Sequence, residues 1–156
     1  MLVKNFNNLL GYSPFNVSYN GMPDLEKAQT LTGSRVLIAS NYWTQGLSTW
    51  RGDSSQSDGV ALLLSTSKAN ESIDNYEFND IFSDYSITNN SRGVANHSVA
   101  CVYSRTITPI SPATINSVGL VCCNDADRVL IGFENLAEPI QLTAGEPHTF
   151  TFAIKV

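Results

Sequence analysis

Charge is scarce in this chain. Asp, Glu, Lys and Arg make up 15% of its 156 residues, against roughly 25% in an average soluble domain. Basic residues are the rarer sign, nine against fourteen acidic, for a net charge of −5. That balance gives no electrostatic case for a nucleic-acid partner. No apolar run approaches the ~18 residues of a membrane span, so no membrane partner is expected. The opening "MLVKNFNNLLGYSPF" has one Lys, no apolar core region and no small-residue cleavage site, and does not read as a secretory signal. The three cysteines are Cys101, Cys122 and Cys123. An odd set with an adjacent pair argues against a disulfide framework and for folding in a reducing cytoplasm. Sequons begin at Asn16, Asn70, Asn89 and Asn96, as chance alone provides in a chain rich in Asn and Ser.

A sustained helical period is also missing. The one helical hint is "PDLEKAQTL" (23–31), with Pro23 suited to a first helical position and Asp24 and Glu26 at the positive end of the dipole. What the chain does have is strand signals. "RVLIAS" (35–40) and "VALLLSTS" (60–67) are continuous apolar runs. "SVACVYSRTIT" (98–108) alternates, "TINSVGLVCC" (114–123) is β-branched and apolar, and "RVLIGFENL" (128–136) follows a turn. A last pair, "IQLT" and "HTFTFAIKV", breaks at Gly145; in it Phe150, Phe152 and Ile154 recur at every second position and should face a core. Between Lys68 and Asn96 hydrophobic residues are isolated, and so long a loop needs packing of its own. Strands of this length with turn signals between them predict a mainly β fold, an antiparallel β-sandwich of jelly-roll type with long loops. The division expected is an irregular N-terminal arm and connecting segment over 1–34 and the sandwich over 35–156.

Reactive constellations are absent as well. His97 and His148 are the only histidines, and no G-x-S-x-G elbow accompanies them. Cys122 and Cys123 point to opposite faces of a strand and cannot chelate one ion together. Glu71, Asp74, Glu77, Asp80 and Asp84 crowd a stretch without Lys or Arg, but their spacing matches no calcium loop and reads as a solvated acidic segment. Arg51-Gly52-Asp53 is a three-letter string of little information. Tyr42, Trp43, Trp50 and Tyr76 are core aromatics or a sugar-stacking platform. No catalytic, cofactor-binding or metal-ligating set is therefore expected, and the chain reads as a non-enzyme.

The order of the pieces carries a resemblance. Asp74-Asn75-Tyr76-Glu77-Phe78 is followed by Ile115-Asn116-Ser117-Val118-Gly119-Leu120, then Val129-Leu130-Ile131-Gly132, then Pro139-Ile140-Gln141-Leu142 with Gly145-Glu146, and a Thr-x-Thr terminal strand. Over residues 59–156 this resembles structural proteins of tailed bacteriophage virions. The resemblance implies a capsid-decoration, collar or tail-associated protein that is assembled in the bacterial host cytoplasm and located in the virion. Its partners would be other virion proteins and copies of itself. A carbohydrate-binding sandwich for host adhesion, with a surface glycan as partner, is the alternative.

The N-terminal arm holds Leu2, Phe6, Leu9, Leu10, Tyr12 and Phe15, too many apolar side chains for a tail in water. Their spacing follows neither 2 nor 3.6. They are the candidate partner-interface residues, lying across a neighbouring subunit, or else the arm folds back on its own sandwich as an irregular strand. Protein made in a reducing cytoplasm should titrate as three thiols under denaturing, non-reducing conditions; a lower count would show an oxidised pair.

Overall fold

A computed structural model describes residues 1–3, 27–37, 59–93, 99–124 and 127–155. Among these there is no helix, and nine strands carry the architecture. They are β1 (Lys27–Gln29), β2 (Arg35–Leu37), β3 (Gly59–Ser65), β4 (Ile81–Phe82), β5 (Tyr85–Gly93), β6 (Val99–Pro109), β7 (Ala113–Asn124), β8 (Asp127–Leu142) and β9 (His148–Lys155). Two antiparallel sheets pack as a sandwich, one ordered β4-β3-β7-β8 and the other β5-β6-β9. A separate hairpin joins β1 to β2.

Period two explains the space between the sheets. Tyr103 and Ile107 on β6, and Phe150, Phe152 and Ile154 on β9, meet Val60, Leu62 and Leu64 on β3 and Val118, Leu120 and Cys122 on β7. The expected inward set of the last strand is buried as its alternation requires. The other phase of β3 and β7 is apolar too. Ala61, Leu63 and Val121 join Leu130 and Phe133 of β8 in a second cluster on the outer face of the four-stranded sheet, with Val3 and Phe78 over them. A continuous apolar run is what a strand buried on both faces needs.

β8 serves both clusters because it changes phase. Leu120 pairs with Gly132 but Val121 pairs with Leu130, so Ile131 is an extra residue opposite β7. Such a bulge shifts the alternation by one. Val129 and Ile131 enter the inner core, while Leu130 and Phe133 enter the outer one.

Three expectations need correction. Lys27–Gln29, within the helical hint, is a strand paired with Arg35–Leu37. A helix of one or two turns is too short to hold itself, whereas this segment closes on a turn in which Gly33 takes φ +84° and donates its N–H to the Thr30 carbonyl at 2.9 Å. The Leu31 N–H of that turn reaches the Arg128 carbonyl at 2.8 Å. Next, the polar stretch after Lys68 is not all loop: β4 and β5 occupy Ile81–Phe82 and Tyr85–Gly93. Tyr85 and Ile87 pair with the inward phase of β6 before the register shifts at Thr88. Finally, "RVLIGFENL" (128–136) and the first three residues of "IQLT" (140–143) lie on one strand of 16 residues, Asp127–Leu142. Pro139 is tolerated there because β8 lies at the edge of its sheet, where a missing N–H breaks no ladder.

Phe152 is 3% exposed and touches both sheets' side chains. Phe152→Ala should lower the unfolding free energy by about 3–5 kcal/mol in denaturant titration. A variant that melts within a degree or two of the parent would contradict the packing.

Candidate functional site

Of the candidate interface residues, Leu2 is the one within the described segments; Phe6, Leu9, Leu10, Tyr12 and Phe15 lie outside them. Met1–Val3 runs antiparallel along β8, with Leu2 opposite Gly132. The Val3 N–H donates to the Ile131 carbonyl at 3.1 Å, and the Phe133 N–H donates to the Met1 carbonyl at 2.8 Å. The Met1 amino group donates to the Phe133 carbonyl. Alternation then sends Leu2 against the inner core and Val3, 1% exposed, into the outer one. These three residues thus bind their own sandwich.

The contact closes over a glycine. A Cβ on Gly132 would stand 2.9 Å from Phe152 Cζ, 3.0 Å from the Met1 carbonyl oxygen and 3.1 Å from Leu2 Cδ2. Backbone cannot yield as a flexible side-chain end can, so no larger residue fits without displacing the arm or the ring.

A second close approach organises the loop over 66–80. Phe78 lies on Gly119, whose added Cβ would meet the ring at 3.0 Å. Polar side chains of the sheet tie the loop down. Ser117 Oγ donates to the Ser67 carbonyl at 2.7 Å, and Asn116 Nδ2 donates to the Thr66 carbonyl at 2.6 Å. Asn135 takes the Ala69 N–H at 2.7 Å and returns a bond to the Ala69 carbonyl at 2.9 Å. Buried Asn75 accepts the Glu77 N–H at 3.1 Å, an Asx turn that aims the chain toward Phe78.

This loop holds the acidic residues, and they are dispersed by individual roles. Glu71 accepts from Asn135 Nδ2 at 3.0 Å, Asp84 accepts the Ser111 hydroxyl, and the Asp80 carbonyl accepts the Thr66 N–H at 3.1 Å. Among the described residues no three His, Cys, Asp or Glu side chains form a group that could hold a metal ion. His148 opens β9 opposite Ile107, and its Nε2 is buried without a hydrogen-bond partner. Cys122 is buried in the inner core. Tyr76 stands beside Gly33, 3.5 Å from the place of its Cβ. His97, Tyr42, Trp43, Trp50 and Arg51-Gly52-Asp53 lie outside the described residues.

Two features escaped the sequence reading. Arg105, fully buried, occupies the inward phase of β6 between Tyr103 and Ile107. It donates from Nη1 to the Leu62 carbonyl at 2.7 Å and to the Tyr85 hydroxyl at 3.3 Å, and from Nε to Asn90 Oδ1 at 3.0 Å. A charge on the apolar phase of an alternating strand was its signal. The other feature is a hydroxyl array on the outer face of β5-β6-β9, where Thr106 pairs with Thr149 at 2.8 Å and Ser104 with Thr151 at 3.1 Å.

No family model, curated protein or solved structure matches this chain.

Gly132→Ala should destabilise the protein by about 1–3 kcal/mol through overpacking. Urea unfolding monitored by tryptophan fluorescence measures it; an unchanged midpoint would show that the arm and Phe152 can move apart at no cost.

Proposed function

We propose that this chain is a non-enzymatic structural component of a tailed phage virion, assembled in the bacterial cytoplasm and acting through contacts with other virion proteins and with copies of itself. One observation carries the proposal beyond the linear resemblance: its motif pieces pack as one unit. Phe78, from the Asp74–Phe78 piece, lies on Gly119 of the Ile115–Leu120 piece. That second piece is β7, paired along its length with β8, which holds both Val129–Gly132 and Pro139–Leu142. Gly145, φ +80°, then donates its N–H to the Pro109 carbonyl at 2.8 Å in the turn that leads to the Thr-x-Thr strand. Pieces that share a fold position explain why they would travel together in sequence.

The chemistry is consistent with an assembling part. The acidic side chains with described hydrogen bonds work as structural acceptors, and the polar surface of the three-stranded sheet is hydroxyl rather than charge. Quantitative mass spectrometry of purified particles of the phage that encodes the chain tests the proposal. The protein should be present in many copies per particle, in a fixed ratio to the other structural proteins, as closed symmetry requires. Its absence from purified particles would overturn the reading.

A further inference from the structure

We infer that the end of the sandwich where β6 turns into β7 and β8 into β9 is a docking surface, with Ile110 as its apolar anchor, for a basic patch on another virion protein. The inference names the partner chemistry of the assembly reading and rests on that reading.

Three turns meet at this end. Ser83-Asp84 joins β4 to β5, Ile110–Pro112 joins β6 to β7, and Thr143–Pro147 joins β8 to β9. Hydrogen bonds lace them to one another. The Ile110 N–H donates to the Asp84 carbonyl at 2.9 Å, and the Gly145 N–H donates to the Pro109 carbonyl at 2.8 Å. Ser111 Oγ adds a bond to the Asp84 carboxylate. The Glu146 N–H closes its own turn on the Thr143 carbonyl at 3.2 Å. Pro109, Pro112 and Pro147 restrict φ within or beside these turns. The backbone that presents the side chains is thus ordered before any partner arrives, which lowers the entropy cost of binding.

The anchor is exposed by the register of its strand. Ile107 and Pro109 take the buried phase of β6, and Ile110, the next residue, stands 68% exposed at the tip. No other large hydrophobic among the described residues is as open to water. A single exposed Ile is ordinary on a protein surface. This one shares its end with Pro112, Ala144 and Pro147, all exposed. The turns therefore offer apolar area on a fixed support, and burying it against a partner is favourable.

Charge selects the partner. Residues 66–84, 109–113 and 138–148, which are these turns with their flanks and the loop that leads into them, hold seven of the fourteen acidic residues and one of the nine basic ones. They carry more negative charge than the −5 of the whole chain. Asp84 and Glu146 are exposed in the turns themselves. Phosphate backbones and anionic lipid surfaces are repelled from such an end, and so is the same end of a second copy. The rest of the chain, with seven acidic and eight basic residues, is close to neutral and attracts it little. A protein surface that sets Lys or Arg around an apolar depression gains on both counts. Contact with Ile110 supplies affinity, and the exposed carboxylates steer the approach and fix its orientation.

Photo-crosslinking in intact particles tests the proposal. Ile110→p-benzoylphenylalanine, irradiated in particles that carry it, should link position 110 to a different virion protein. Mass spectrometry of the linked peptide should find Lys or Arg close to the point of attachment. In parallel, Ile110→Ser with Glu146→Lys should lower the copies per particle about tenfold, with the melting temperature of the isolated chain unchanged. Glu146→Lys alone should lower them about threefold and serves where the double variant folds poorly. Glu134→Lys, exposed on β8, makes the same change of charge elsewhere and should leave the copy number intact. A link to another copy of this chain overturns the proposal, as does a link to a segment without basic residues, or no link at all. Full copy number in the Glu146→Lys variant overturns it too, and so does an equal loss in the Glu134→Lys control. Particles that contain the protein but show any of these results refute this surface alone and leave the assembly reading standing. Particles that lack the protein overturn the assembly reading and this docking with it.

Discussion

The two sheets are held in register by a charge that has nowhere else to go. Arg105 belongs to one sheet and donates to the Leu62 carbonyl of the other. Desolvating a guanidinium costs several kcal/mol unless its donors are matched by acceptors in fixed positions. Asn90 and the Tyr85 hydroxyl, both on β5, supply further partners. Apolar surfaces alone allow one sheet to slide over the other at little cost, because hydrophobic contact has no direction. A buried donor set does not. Satisfying Arg105 fixes β6 against β3 and draws the edge strand β5 into place.

A second constraint follows from the apolar run of β3. With Leu62 and Leu64 turned inward and Ala61 and Leu63 outward, this strand is stable only if both faces of its sheet are covered. The three-stranded sheet covers one face. Val3, Leu31 and Phe78, from three separate stretches of the chain, help cover the other. The irregular segments are therefore part of the hydrophobic core, and the polar ties from Ser117, Asn116 and Asn135 position the loop that carries Phe78.

What could be read in the sequence was whatever depends on near neighbours. Phe150, Phe152 and Ile154 declared a half-buried strand by period alone, and the continuous apolar run at 60–64 declared a second strand. β5 was hidden because Tyr85 and Ile87 give only one repeat before the shift at Thr88 breaks the alternation. Lys27–Gln29 has no strand period of its own and is a strand because Arg35–Leu37 lies beside it. Whether Leu2 docks on its own sandwich or on a neighbour was left open by the sequence, since its partner is some 130 residues away. A hint existed in "VLIGF": a glycine inside an apolar strand marks a place where something else comes close. The hydroxyl face could not be read at all, because Thr106 and Thr149 become neighbours only through the register of β6 and β9.

The outer edge of β8 has a consequence for behaviour in a crowded cell. An open strand edge invites any other extended chain to add to it, without limit and without specificity. Here the first half of that edge is taken by Met1–Val3 and by the bridge from Thr30. Along the second half, Leu136–Pro139 stand opposite Asn116 alone, so the backbone there is buckled, with Glu138 and Pro139 exposed on it. Such an edge is a poor template for fibre growth. Copies of the chain that meet edge to edge therefore find little regular backbone there to extend.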